Sequence, residues 1–112
     1  MREKFYPNVG DHLYLRQLTG NEWVDMCRYP YTVVKVDKNR VWVQSCELVF
    51  NGPRYYDTLP DDIKEDPYGD VRELKWSNAK KLGGAWVYKN YPGDTYPSFA
   101  VFGEWSFFPY LN

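Results

Sequence analysis

"YTVVKVDKNRVWVQSCELVF", residues 31–50, decides the fold. Two runs rich in β-branched residues, 31–36 and 41–50, flank the polar stretch "DKNR" at 37–40. That is the pattern of a tight antiparallel hairpin, because branched side chains suit a pleated, half-buried surface and polar residues suit the reversal. Alternation predicts that Val34, Val36, Val41 and Val43 line the core-facing side, with Lys35 and Trp42 on the other. The second strand is expected to run on through Leu48 and Phe50.

Working outward, "GDHLYLRQL" (10–18) opens with a turn and alternates Leu13 and Leu15 against His12, Tyr14 and Arg16, as a half-buried strand does. "TGNE" (19–22) reads as a turn. "WVDMCRYP" (23–30) is shorter and less regular, and is closed by Pro30, which lacks the amide a central strand needs. "VRELKWS" (71–77), "AWVYKN" (85–90) and "SFAVFGEW" (98–105) read as further strands, separated by a loop "NAKKLGG" (78–84) and a turn "YPGDTYP" (91–97). The tail "SFFPYLN" is aromatic enough that it should pack back on the body. No window of a dozen residues carries a sustained helical repeat. Five or six short strands without a crossover helix predict a mostly β fold, a small SH3-like barrel or a strongly bent antiparallel sheet, elaborated by the long loop 51–70.

A chain of 112 residues fits one domain, 1–112, with a single core. Eleven tyrosines, six phenylalanines and five tryptophans cannot all be interior in so small a body, so some aromatic faces are expected at the surface, where they can bind or support a homo-oligomer. A net charge of −1 and a pI near 5.8 provide no global field toward nucleic acid or an anionic membrane. There is no apolar leader pattern and no stretch of membrane-spanning length, which predicts a cytoplasmic protein and no membrane partner. Cys27 and Cys46 are too few for a zinc site and read as free thiols packed as small apolar residues.

Nothing in the chain matches a GxSxG, HExxH, P-loop or dinucleotide fingerprint. The single histidine, His12, reads as an exposed or half-exposed strand residue rather than a catalytic base, so no enzyme, metal or cofactor is expected. The loop 51–70 concentrates Asp57, Asp61, Asp62, Glu65, Asp66 and Asp70. Its "PDDIKE" (60–65) has the start signals of one helical turn, a proline followed by acids. Within it, "GPRYYD" presents Arg54, Tyr55, Tyr56 and Asp57 in succession. Arginine supplies a planar fork for phosphate, tyrosines offer stacking faces, and aspartate accepts from a ribose hydroxyl or an exocyclic amine. These four are the expected readers of a nucleotide-like ligand, with Arg16, Lys80 or Lys81 as phosphate partners. The same stretch also reads as a simple cover, Arg54 pairing with a neighbouring acid. Two other surfaces compete with it. Asp61, Asp62, Glu65 and Asp66 could mimic nucleic acid toward a basic protein. Lys80, Lys81, Trp86, Tyr88, Lys89 and Tyr91 interleave cations and aromatics as single-strand binders do, although balanced charge favours a short ligand over a polymer.

The strings "VGDHLYLRQLTGNEWVDMCRYPYTVVKV", "GPRYYDTLPDDIKEDPYG" and "FAVFGEWSFFPYLN" resemble a group of small uncharacterised proteins of phages and mobile elements of Gram-positive bacteria. That resemblance implies a counter-defence setting in the host cytosol. The expected role is sequestration of a small nucleotide-like signal or masking of a host defence complex, without catalytic residues to carry over.

Overall fold

In a computed structural model the described residues are 3–17, 27–55, 58–78, 84–89 and 97–108. Eight strands are assigned among them: β1 (His12–Gln17), β2 (Arg28–Val36), β3 (Arg40–Ser45), β4 (Glu47–Val49), β5 (Asp62–Lys64), β6 (Val71–Ser77), β7 (Ala85–Tyr88) and β8 (Ser98–Phe102). Six of them close an antiparallel barrel in the order β1-β2-β3-β6-β7-β8, while β4 and β5 form a separate two-stranded sheet. This architecture is consistent with the small SH3-like barrel expected. No helix among the described residues is long and apolar enough to cross a membrane.

The decisive hairpin is present, but its parity changes part-way. Val33 pairs with Val43 and Lys35 with Trp42, so Val34 is an extra residue at a β-bulge. A bulge lets two successive inward residues sit on either side of an unpaired one. Val33 is therefore the core residue (1% exposed), and Val34, expected inside, is 38% exposed. Val41 and Val43 are fully buried as expected, and Val36 packs against the core from its edge.

Pro30 does not end a strand. It lies inside β2, opposite Tyr14 of β1, and its carbonyl accepts from the Cys46 amide at 3.1 Å. Its nitrogen thus faces β3, at the point where that ladder stops. With no N–H to offer, Pro30 cannot complete the pair with Cys46, whose carbonyl accepts from the Tyr29 hydroxyl at 3.4 Å instead. Beyond this point β2 takes a different neighbour: Arg28 and Phe108 exchange both backbone hydrogen bonds, 3.1 and 3.0 Å. The tail up to Phe108 therefore packs back, as its aromatic content implied.

Released from β2, the chain after Ser45 turns outward instead of continuing as one strand through Phe50. Glu47, Leu48 and Val49 pair with Lys64, Ile63 and Asp62. The helical turn expected at 60–65 is absent, because pairing overrides its local start signals. The Asp61 amide bonds to the Val49 carbonyl at 2.8 Å, and the carboxylates of Asp61 and Asp62 take the amides of Asn51 and Ile63. Residues 46–70 are thus an insertion carrying its own hairpin.

One end of the barrel is plugged. Trp86 is fully buried, stands edge-on to Trp76 at 5.5 Å and donates its indole N–H to the Phe5 carbonyl at 2.8 Å. Phe5 itself stands edge-on to Trp76 and Phe102. Edge-to-face geometry places positive ring edges on negative faces. The N-terminal segment thus closes this end with aromatic packing. The other end is built differently.

Candidate functional site

Along four of the six barrel strands the inward-facing positions change from apolar to polar toward the same end. Leu13 and Leu15 lead to Gln17; Val41 and Val43 to Ser45; Trp76 and Leu74 to Arg72; Phe102 and Ala100 to Ser98. On β2 the series from Val33 continues through Tyr31 and Tyr29. These ends frame a cavity of about 350 Å³ lined by Leu15, Gln17, Cys27, Tyr29, Tyr31, Ser45, Asp70, Arg72 and Ser98. A second hollow of about 430 Å³ lies between the barrel end and the insertion, lined among others by Glu47, Leu48, Arg54, Asp66 and Tyr68. Tyr29, Ser45 and Asp70 border both, so the two make one groove.

Arg72 is the central charge of the deep compartment. Its guanidinium lies 4.6 Å from the Tyr88 ring centre and 5.7 Å from that of Tyr31. Among the described residues no carboxylate stands within ion-pair distance of it, whereas on the outer face of the barrel Arg40 pairs with Glu73. Aromatic faces hold a guanidinium while leaving its N–H edges available. Burial pushes the Tyr31 phenol above the usual tyrosine value of 10.0, with Arg72 pulling the other way. Burial likewise raises Tyr29, so both rings are neutral phenols; the Tyr29 hydroxyl donates to the Cys46 carbonyl, which leaves Tyr31 as the phenolic donor of the site.

The insertion is fastened beside the groove by backbone contacts. The Gln44 side-chain amide donates to the carbonyls of Pro67 and Gly69, both at 3.0 Å. The Ser45 amide donates to the Asp70 carbonyl, and the Asp70 amide to the Ser45 hydroxyl, both at 2.9 Å. Beneath it Cys46 is buried against the Thr32 hydroxyl. Burial holds its thiol above the usual 9.0.

These raised values set the sign of an alkaline effect. The folded chain keeps Cys46, Tyr29 and Tyr31 protonated where the unfolded chain would release those protons. Their contribution is therefore complete below the unfolded values and is lost as pH rises past them. The urea midpoint should stay level from neutrality to about pH 9 and fall above it, the thiol leading and the phenols following. A midpoint that holds level to about pH 10.5 would contradict this.

The structure brings only part of the expected site together. Arg54 lines the outer compartment, with its guanidinium 4.3 Å from the Phe50 ring centre and no ion pair to a described acid. Tyr55 is 70% exposed and lies outside the groove. Tyr56, Asp57, Lys80, Lys81 and Tyr91 lie outside the described residues. Arg16 projects from the outer face of β1, over the Phe99 ring at 5.9 Å, and does not meet Arg54. Asp61, Asp62 and Glu65 are exposed on the insertion and Asp66 is half-buried in the groove wall. Trp86 cannot serve as a stacking platform for a strand of nucleic acid, because its side chain is wholly interior. Tyr88 lines neither compartment and instead holds the Arg72 guanidinium over its ring. His12 is exposed, as expected, and stacks on Trp105 at 3.7 Å. Among the described residues no group of three His, Cys, Asp or Glu is placed to hold a metal.

Arg72 was missed by sequence reasoning, although its phase was readable. It lies two residues from Leu74 and four from Trp76, on the inward side of an alternating strand. No family model matches the chain, and neither the curated proteins nor the solved structures provide a match.

Proposed function

We propose that the protein is a non-enzymatic binding protein whose barrel mouth takes up a small anionic, nucleotide-like ligand. The observation that carries this reading is Arg72. It is an inward-facing guanidinium held on two tyrosine rings, without a carboxylate partner among the described residues, in a cavity large enough for a small molecule. Burying a charge without a partner is costly, and an anion that supplies one recovers that cost. Tyr31 adds a phenolic donor, and Ser45 and Ser98 add hydroxyls. In the phage setting that the sequence resemblance implies, such a protein would act as a counter-defence sponge in the host cytosol.

The test is native mass spectrometry of the protein with a panel of nucleoside monophosphates, cyclic oligonucleotides and ADP-ribose derivatives. A stoichiometric adduct released intact on denaturation is expected for the wild type, and its loss for Arg72→Ala. Losing a charge-assisted bidentate contact should weaken binding by about 10- to 100-fold. A bare protein across the panel, or an adduct indifferent to Arg72→Ala, would overturn the reading.

A second reading rests on the exposure of Asp61, Asp62 and Glu65 together on the insertion. There they could dock on a basic protein as a nucleic-acid mimic. Capture of a basic host protein, weakened by salt and lost in the triple Asn/Asn/Gln variant, would favour it.

A further inference from the structure

The two compartments of the groove differ in charge, and this difference deepens the reading above, on which it rests. Arg72 is the cation of the deep compartment, and Asp70 is the one acid that lines it. The outer compartment holds one cation, Arg54, against three acids, Glu47, Asp66 and the shared Asp70. The charge along the groove thus runs from balanced at the deep end, where Arg72 has no ion pair among the described residues, to net negative at the outer end. A ligand lying along it should be polarised in the opposite sense, with an anionic end inward and a hydrogen-bond-donating end outward.

The outer end is specific enough to name the donor. Asp66 is half-buried, and its Oδ1 accepts the Tyr68 amide at 2.9 Å, which fixes the carboxylate plane. Its Oδ2 has no hydrogen-bond partner among the described residues. Beside it the Tyr68 ring is 94% exposed, a free face at the rim on which a planar base can stack. An acidic side chain accepts from an exocyclic amine as it does from the cytosine amino group, and it repels a carbonyl at the same position. We infer that the groove takes a nucleoside monophosphate bearing an amino-substituted base, its phosphate on Arg72 and its amine toward Asp66. The deep compartment, about 350 Å³, and the outer one, about 430 Å³, are within the size range of small-molecule sites.

Calorimetry with two matched pairs tests this: CMP against UMP, and AMP against IMP, which exchange an amine for a carbonyl. The amino member of at least one pair should bind about tenfold more tightly, since the carbonyl member leaves the carboxylate facing an acceptor. Asp66→Asn keeps the Oδ1 acceptor that the Tyr68 amide needs, but it can turn a donor toward the ligand. It should reduce the preference to about twofold or less while leaving the melting temperature unchanged. Arg72→Ala should lose both members. Equal affinities within both pairs, or a preference that survives Asp66→Asn, would overturn the inference while leaving Arg72-dependent binding intact. Failure of all four nucleotides to bind would overturn it as well. The broader reading falls only if the mass-spectrometry panel is bare too.

Discussion

Trp86→Ala should cost about 3–5 kcal/mol of stability, most of what a domain of this size has to lose. Trp86 is the largest fully buried side chain among the described residues. It contacts Trp76 edge-on, leans on Tyr6 at 6.0 Å and has the Lys4 ammonium 5.4 Å from its ring centre. Removing it opens a cavity between strands that curve too tightly to collapse inward, so the lost contacts are not replaced. It also leaves the Phe5 carbonyl without its indole donor, and the N-terminal plug loses the bond that seats it. Trp86→Phe separates the two effects. Most of the aromatic volume stays while the hydrogen bond goes, and a loss of roughly 1–2 kcal/mol is expected. Urea denaturation at neutral pH measures both. An alanine variant within about 1 kcal/mol of wild type would mean that the barrel end is not held by this plug. The stacking reading of Trp86 makes the opposite prediction, since an exposed platform could be removed with little effect on folding.

The hairpin at 31–50 was legible because its two strands are rich in β-branched residues and its reversal is polar. What composition did not show was the bulge at Val34. Three valines in the window fit either phase, and only pairing with β3 decides that Val33 faces inward. Pro30 was read for what it lacks, an amide, without asking on which side of β2 the amide was missing. The missing donor lies where β3 ends, so the proline sits in a central strand and directs the chain into the insertion. The acids at 60–65 carried helix-start signals, but the pairing of Ile63 with Leu48 is a contact across fifteen positions, beyond local propensity. For the site, Arg54 was found because its neighbours are unusual, a glycine and proline before it and tyrosines after it. Arg72 was passed over because "VRELKW" looks like an ordinary amphipathic strand. The clue lay in the ends of the strands taken together. Gln17, Ser45, Arg72 and Ser98 share the phase of buried apolar residues, and a polar residue in that phase is either a buried cost or a site.

Gly69→Ala is expected to damage stability and binding together. A Cβ at this position would stand 2.1 Å from the Ser45 carbonyl oxygen and 2.7 Å from its hydroxyl. The first obstacle is backbone and cannot rotate away. Relief requires the insertion to lift from β3. That stretches the bonds between Ser45 and Asp70 and those from the Gln44 amide to Pro67 and Gly69. The expected cost is about 2–4 kcal/mol, a fall of roughly 10–20 °C in melting temperature for a domain of this length. Gly52→Ala is the matched control. It lies in the same insertion, and a Cβ there meets nothing within 4 Å, so its effect should stay within about 0.5 kcal/mol. Because Ser45 and Asp70 wall both compartments, the lifted insertion should also lose nucleotide affinity while Arg72 remains in place. If Gly69→Ala melts lower but binds as well as wild type, the ligand is held by the barrel mouth alone and the outer compartment is not part of the site. If it melts and binds like wild type, the insertion re-seats without cost, and the contact between Gly69 and Ser45 does not frame the groove.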